Sequence, residues 1–319
     1  MILIISRDGD TTTDLVIDWL LEYNLPFLRV NDDFYYNICM DFQDFSASTI
    51  YDIKISDISV IWFRKNTFLL NKSDQENIIK QLDKSIITFS NNEIVEFRKY
   101  FFWKLSEIKS IKWLTNPNKI TENKLIQMDV ARSVGLRVPK TFVITRKKDL
   151  LNFTSNSVGI VKPIVNCIHP VIDGKGVIMK TCIVDRKTED TPITFPISLV
   201  QNLIEKLFEI RVFYIDNEFF ATKVVEEENN EIDHRVNIAM NKTRFENYLL
   251  PNDIKNKLRA LFETFDLNCS SVDLLVDKNG DYYFLEINPT GQFTYHSIFN
   301  NTYLEKKIAT TLKKFYYEN

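Results

Sequence analysis

One stretch near the C-terminus constrains this chain more than any other. Val272 to Asp277 and Tyr282 to Ile287 are two β-prone runs joined by Lys278-Asn279-Gly280-Asp281. Asn-Gly between such runs is a strong hairpin signal, and a type I′ turn there pairs Lys278 with Asp281. Antiparallel partners keep a constant sum of residue numbers, so Asp273 falls directly across from Glu286. Cβ atoms of such a pair lie roughly 5 Å apart. Two carboxylates therefore meet on a hairpin that is otherwise apolar through Leu274, Leu275, Phe284 and Leu285. Asn288, two residues past Glu286, shares their face. A solvated polar face is the plain reading. The apolar neighbours favour a metal site instead, because Asp, Glu and Asn offer the hard oxygen ligands that suit Mg²⁺ shared with phosphates.

The rest of the chain reads as three modules of α/β and α+β character, with boundaries at 1–112, 113–199 and 200–319. Met1 to Ser6 is a short apolar strand. Thr11 to Asn24 has helical spacing through Leu15, Ile17, Leu20 and Leu21, and the run PFLRVN follows. This β-α-β order implies a parallel sheet. Ser59 to Arg64 is a further strand, taken as core with an outward Arg64. Lys72 to about Ser110 is long and helical. Lys119 to Val134 predicts a helix ending at Gly135. Strands at Thr141–Ile144, Gly159–Pro163 and Val177–Val184 surround a short helix and a polar loop. From Leu199 the pattern changes. Arg211–Ile215 and Phe219–Val225 flank an Asp216-Asn217 turn, Ile254–Phe265 is a helix, and the tail from Tyr303 is a basic helix.

Seven glycines are a small number for 319 residues. No G-x-G-x-x-G and no G-x-x-x-x-G-K-[ST] occurs, so the two commonest glycine-based phosphate cradles are excluded. The net charge of −3 gives no general attraction to nucleic acid. The four scattered cysteines form no C-x-x-C and read as reduced thiols. The opening MILIIS is too short for a signal or membrane segment, so a cytoplasmic protein without membrane or nucleic-acid partners is expected.

Further polar side chains recur in pairs. Lys124 lies in the helix that ends at Gly135, and Lys162 ends the strand of Val161-Lys162-Pro163. Each alone is a commonplace surface lysine. Glu209 and Arg211 are two apart on a strand and share a face, as do Arg235 and Asn237. A face collecting Arg, Lys, Asp, Glu and Asn suits a triphosphate with its metal. The three histidines, His169, His234 and His296, have no ligand spacing; only His296, near the GQF segment, is a candidate base.

The order V-K-P, a short glycine loop (Asp173-Gly174-Lys175-Gly176), an acidic hinge and then D…E-x-N resembles the ATP-grasp ligases. VDLLVDKNGDYYFLEINPTGQF, residues 272–293, is more specifically similar to the peptide-maturing ATP-grasp enzymes, the microviridin-type macrocyclases that make graspetides. The N-terminal MILIIS and SVIWFRK segments resemble maturases of grasp-with-spasm systems. The likeness spans essentially the whole chain. It implies an ATP-grasp fold with an N-terminal parallel-sheet domain, a small central domain and a C-terminal antiparallel-sheet domain.

That resemblance also implies roles. Lys124 and Lys162 would hold ATP phosphates, with Asn237 in the nucleotide set. Gln201, Asn202, Leu203 and Ile204 would form the hinge that reads adenine, and Glu209 would accept the ribose hydroxyls. Arg211 and Arg235 would face the γ-phosphate and an acyl-phosphate. Asp273, Glu286 and Asn288 would bind Mg²⁺, two ions being expected. The substrate would be a ribosomal precursor peptide with leader and core, and a homodimer is compatible. Small-molecule relatives such as D-alanine–D-alanine ligase carry an arginine two residues before the first metal aspartate, where Ser271 stands here. A small-molecule or protein-tail carboxylate–amine ligase and a non-catalytic ATP-binding scaffold are the competing readings.

Overall fold

The computed structural model describes residues 1–32, 37–65, 84–155, 157–165, 171–172, 175–176, 181–184, 191–226, 243–291 and 293–318. The first sheet is parallel, in the order Phe27–Val30, Ile2–Ile5, Val60–Phe63, Lys112–Leu114. Its last strand straddles the boundary expected at 112. Ile2 to Ile5 are all fully buried, as a parallel strand covered on both faces requires. Ile2 and Ile4 pack with Val16 and Leu20 of the Thr11–Glu22 helix and with Ile308 and Leu312 of the Leu304–Tyr317 helix. Leu3 and Ile5 pack on the other side with Phe101, Phe102 and Leu105 of the Lys84–Ser106 helix. The first helix forms where expected, but its inner face is Thr12, Thr13, Val16 and Leu20, while Leu15 and Leu21 are exposed. Residues 38–54 add a small three-stranded sheet. The expected helical stretch from Lys72 up to residue 84 lies outside the described residues.

The second sheet is antiparallel, ordered Cys182–Val184, Gly159–Lys162, Thr194–Asn202, Thr141–Arg146. Strand Thr194–Asn202 runs through the expected change of pattern at Leu199, so Gln201 and Asn202 belong to this sheet. Its partner helix spans Lys124–Ser133 rather than Lys119–Val134. Asn116-Pro117 starts a separate 3₁₀ turn at Pro117–Lys119, and the Asn123 side chain caps the helix by accepting from the amides of Leu125 and Ile126. Gly135, at φ +84°, ends that helix as expected.

The third sheet has five antiparallel strands in the order Thr243–Tyr248, Glu218–Glu226, Lys206–Ile215, Cys269–Asp277, Tyr282–Asn288. One face is closed by the Asn252–Phe265 and Lys124–Ser133 helices around Val212, Leu258, Phe262, Val272 and Leu274. The opposite face is divided. Phe213, Ile215 and Cys269 join the core of the first sheet together with Phe293, while Glu209, Arg211, Asp273 and Glu286 occupy the remainder. Asp216-Asn217 is a two-residue hairpin turn with both φ values positive, as expected.

The last hairpin reaches its expected pairing by another route. Asn279 is not left-handed. Gly280 alone is, at φ +81°, and its amide donates to the carbonyl of Asp277. The connection is a three-residue loop over 278–280, which pairs Val276 with Tyr282 and Leu274 with Phe284. A bulge at Leu285 then shifts the register by one and sets Asp273 opposite Glu286. The expected type I′ turn is thus incorrect, and the bulge restores the pair it was expected to create.

Among the described residues, no helix is long and apolar enough to cross a membrane. Phe262, against the third sheet, is fully buried and stacked on Tyr214 with centroids 4.2 Å apart. Phe262→Ala should lower unfolding free energy by about 3–5 kcal/mol, read as the midpoint shift in urea denaturation.

Candidate active site

Seven of the expected residues gather on the open part of the third sheet. Asp273 is paired in register with Glu286 on one side and with Arg211 on the other. Arg211 Nη1 donates to Asp273 Oδ2 at 3.3 Å, and Asn288 Nδ2 donates to the same oxygen at 3.2 Å. Lys124 Nζ lies 3.2 Å from Glu286 Oε2 and donates to the carbonyl of Val165 at 2.9 Å. Lys206 Nζ donates to Glu209 Oε1 at 2.8 Å. Lys162, half-buried at the end of its strand, interacts electrostatically with Glu286, Glu209, Asp273 and Lys124. Burial pulls its ammonium pKa below the ordinary lysine value. Glu286, Glu209 and Asp273 oppose that shift, and Lys124 adds to it. A polyanion entering here would relieve the cost of holding that ammonium out of water.

These positions follow from local structure. Helix Lys124–Ser133 begins at Lys124 because Asn123 caps it, and the Lys124 amide donates to the Ile164 carbonyl. One bond thus ties the helix start to the segment that follows Lys162. Arg211 and Asp273 occupy one register position on neighbouring strands, so both side chains emerge on one face.

The hinge segment is placed differently from the cluster. Gln201 is buried, and its Nε2 donates to Thr141 Oγ1 at 3.0 Å. The amide of Asn202 donates to Lys140 and that of Leu203 to Val158. Leu203 and Ile204 form the link between the second and third sheets. Arg235 and Asn237 lie outside the described residues, as do His169, His234, Asp173 and Gly174. His296 sits on the Thr294–Asn300 helix with its ring edge-on to Phe245, centroids 5.6 Å apart.

The arrangement corrects the reading of Arg64. It is not outward: it is 3% exposed and paired with Asp10, Nε to Oδ2 at 3.3 Å. Gln127 is a structural contributor to the site that periodicity alone does not mark. It is 1% exposed, its Oε1 accepts from the Ile287 amide at 2.9 Å, and its Nε2 donates to the Ile287 carbonyl at 3.1 Å. The helix thereby grips the backbone between Glu286 and Asn288. The only available signal was a polar residue beside Met128 on the helix's buried stripe.

A family model described as the RimK-like ATP-grasp domain matches residues 121–312, more than half of the chain. The chain belongs to the RimK-like ATP-grasp family. It is by family and fold an ATP-grasp ligase. Its fold is shared with a Chryseobacterium gregarium RiPP-associated ATP-grasp ligase, solved in complex with ADP and a leader and core peptide. That chain is 23% identical, with 98% of this chain and 96% of the other covered at a TM-score of 0.82. Macrocyclase MdnC from Microcystis aeruginosa, solved with precursor peptide MdnA, is 20% identical, with 98% and 100% covered and a TM-score of 0.80. The ATP-grasp ligase PsnB, solved with minimal precursor, Mg and ADP, is 14% identical, with 98% and 96% covered at 0.78. No curated protein matches the chain significantly. Within this ATP-grasp fold the carboxylate cluster lies on the third sheet, beneath the lysines supplied by the second module.

Gln127→Leu keeps the volume of the side chain but leaves the Ile287 amide and carbonyl unpaired. A buried orphan group costs about 1–3 kcal/mol. The variant should lose stability on that scale, and amide exchange across 282–288 should accelerate.

Proposed function

We propose that this chain is an ATP-dependent carboxylate ligase that macrocyclises a ribosomally made precursor peptide. It activates Asp or Glu side chains as acyl-phosphates and joins them to Ser or Thr as ω-esters, or to Lys as ω-amides. The observation that carries this reading is the facing pair Asp273–Glu286, flanked by Asn288, Arg211, Lys124 and Lys162. It lies in a fold shared along nearly its whole length with ligases solved with ADP and precursor peptides.

The donor set fits Mg²⁺. Among the described residues no three Asp, Glu, His or Cys side chains form a cage of their own. Two carboxylates and an amide oxygen are what a magnesium ion shared with phosphates needs from protein. Asp273, Glu286 and Asn288 would hold it. Bound Mg²⁺ supplies charge neutralisation between the phosphate oxygens during transfer.

This chain's own groups then divide the work. Lys124 and Lys162 bind phosphate oxygens. Glu209 accepts from the ribose hydroxyls, with Lys206 holding its carboxylate in place. With two hinge amides committed inside the second sheet, Ile204 is the position left for amide contact with adenine. Arg211, on Asp273, faces the charge that builds on the γ-phosphoryl group, and we assign Arg235 and Asn237 to the same group. A peptide carboxylate oxygen bonds to the γ-phosphorus as the bridging bond to ADP breaks. A hydroxyl or amine then bonds to the acyl carbon, the carbon–oxygen bond to phosphate breaks, and the nucleophile gives up its proton. The peptide loses one water per ring.

With Mg-ATP and the precursor peptide encoded beside it, the enzyme should remove one water per ring while releasing ADP and phosphate. Mass spectrometry and nucleotide chromatography read both. AMP with pyrophosphate would overturn the acyl-phosphate route, and ADP release driven by free amino acids alone would favour a small-molecule ligase. Glu286→Gln removes a charge at constant volume and should slow cyclisation by at least about 100-fold, with its thermal unfolding midpoint close to that of the parent.

A further inference from the structure

The segment that follows the candidate metal strand is held from the first sheet. Arg64 leaves strand Val60–Phe63 with its amide donating to the Ile5 carbonyl. Its side chain is 4% exposed, and that of its partner Asp10 is 8% exposed. Asp10 is anchored in turn, accepting from Thr13 Oγ1 at 3.0 Å and from Ser6 Oγ at 3.3 Å. The other arm of the guanidinium, Nη1, donates to the carbonyl of Thr290. Thr290 lies within the Asn288–Gly291 turn, closed by the Gly291 amide donating to the Asn288 carbonyl at 3.0 Å. Nearby, Thr12 Oγ1 and Thr294 Oγ1 share a hydrogen bond of 2.7 Å. A buried charge pair is thus aimed at one carbonyl, two residues past Asn288.

The floor beneath that turn is equally particular. Gly291 has φ +43°, and a Cβ there would stand 2.7 Å from Ser271 Oγ. Ser271 is fully buried and pairs with Asn288 across the sheet. A large side chain at 271 has no room beneath this turn. That is a physical reason for serine where small-molecule relatives carry arginine. The guanidinium that touches this turn enters from the first sheet.

We infer that Arg64 is a positioning residue for the Asn288–Gly291 turn: braced by Asp10, it fixes the turn that orients Asn288 toward Asp273. This rests on the metal site proposed above. A guanidinium suits this place because Nη1 donates to Thr290 while Nε, with no hydrogen bond of its own among the described residues, stays within 3.3 Å of the Asp10 carboxylate, a spread of charge that a lysine ammonium does not reproduce. It gives the first sheet a part in the chemistry of the third, although Arg64 itself belongs to neither the carboxylate cluster nor its cations.

The test measures Mn²⁺ affinity of the enzyme–ADP complex by electron paramagnetic resonance, beside thermal unfolding and steady-state kinetics. Arg64→Lys should weaken Mn²⁺ roughly 10-fold, the scale of lost outer support at metal sites. The KM for ATP at saturating Mg²⁺ should stay within about twofold. The double variant Arg64→Met with Asp10→Asn removes both charges and leaves no buried ion alone. It should unfold within a few degrees of the parent and still show the Mn²⁺ defect. Parent-like Mn²⁺ affinity in a folded double variant, or in Arg64→Lys, overturns the inference. Failure of the parent itself to bind Mn²⁺ with ADP overturns the metal-site reading and this inference with it.

Discussion

The repulsion between Asp273 and Glu286 is the constraint around which the candidate active-site region is arranged. Two unit charges about 5 Å apart at an effective dielectric of about 20 repel by about 3 kcal/mol. Arg211 at 3.3 Å and Lys124 at 3.2 Å each attract one of them by about 5 kcal/mol on the same scale, before desolvation. The attractions exceed the repulsion, so the hairpin tolerates its paired carboxylates. The two cations come from different places. Arg211 is a strand neighbour within the sheet, whereas Lys124 arrives on a helix that also covers the sheet's other face through Met128 and Ala131. Docking of the second module onto the third is thereby coupled to charge balance in the cluster.

The backbone is held on both sides of Asn288, at the C-terminal end of the candidate metal strand. Gln127 takes both polar groups of Ile287, and Arg64 takes the carbonyl of Thr290. Between these two grips lie Asn288 and the turn over Ser271. Neither grip comes from the strand's own sheet. A bulged hairpin with a glycine turn would otherwise be free to slip by one residue, and such a slip carries every side chain to the opposite face. At this position the slip would send Glu286 and Asn288 into the apolar core around Leu274 and Phe284.

Periodicity and turn chemistry made much of this legible. The β-α-β opening, the Asp216-Asn217 turn, the Asn252–Phe265 helix and the carboxylate pair all lie in stretches where side-chain pattern and local backbone preference agree. The exceptions have physical causes. The sequence 278–281 suits two turn types, and the choice of a three-residue loop is compensated only by a bulge that no local pattern announces. The helix after Pro117 starts five residues later than periodicity suggested, because Asn123 caps more strongly than the preceding residues extend. In the sequence Arg64 reads as outward because a charged residue at a strand end is usually solvated. Its partner Asp10 is 54 positions away in sequence and adjacent only once two parallel strands have paired. Gln127 is illegible for a similar reason: its partners are backbone groups 160 residues later.

The site is therefore assembled almost wholly from long-range pairings. Lys124, Lys162, Glu209, Arg211, Asp273 and Glu286 come from the second and third modules, and the brace on the following turn, Arg64, comes from the first. Glu209 is compensated by a near neighbour in sequence, Lys206 on its own strand, whereas the ion pairs of Asp273 with Arg211 and of Glu286 with Lys124 join residues far apart in sequence. Until the modules dock, each carboxylate and ammonium is better off in water, and no local element gains by bringing Asp273 toward Glu286. The hairpin's apolar face supplies the missing drive. Leu274 and Phe284 are fully buried against the Lys124–Ser133 and Asn252–Phe265 helices, at about 25 cal/mol for each Å² of apolar surface removed from water. Burial of one face thus forces the carboxylates together on the other, and the cations brought by the same docking event make that arrangement stable.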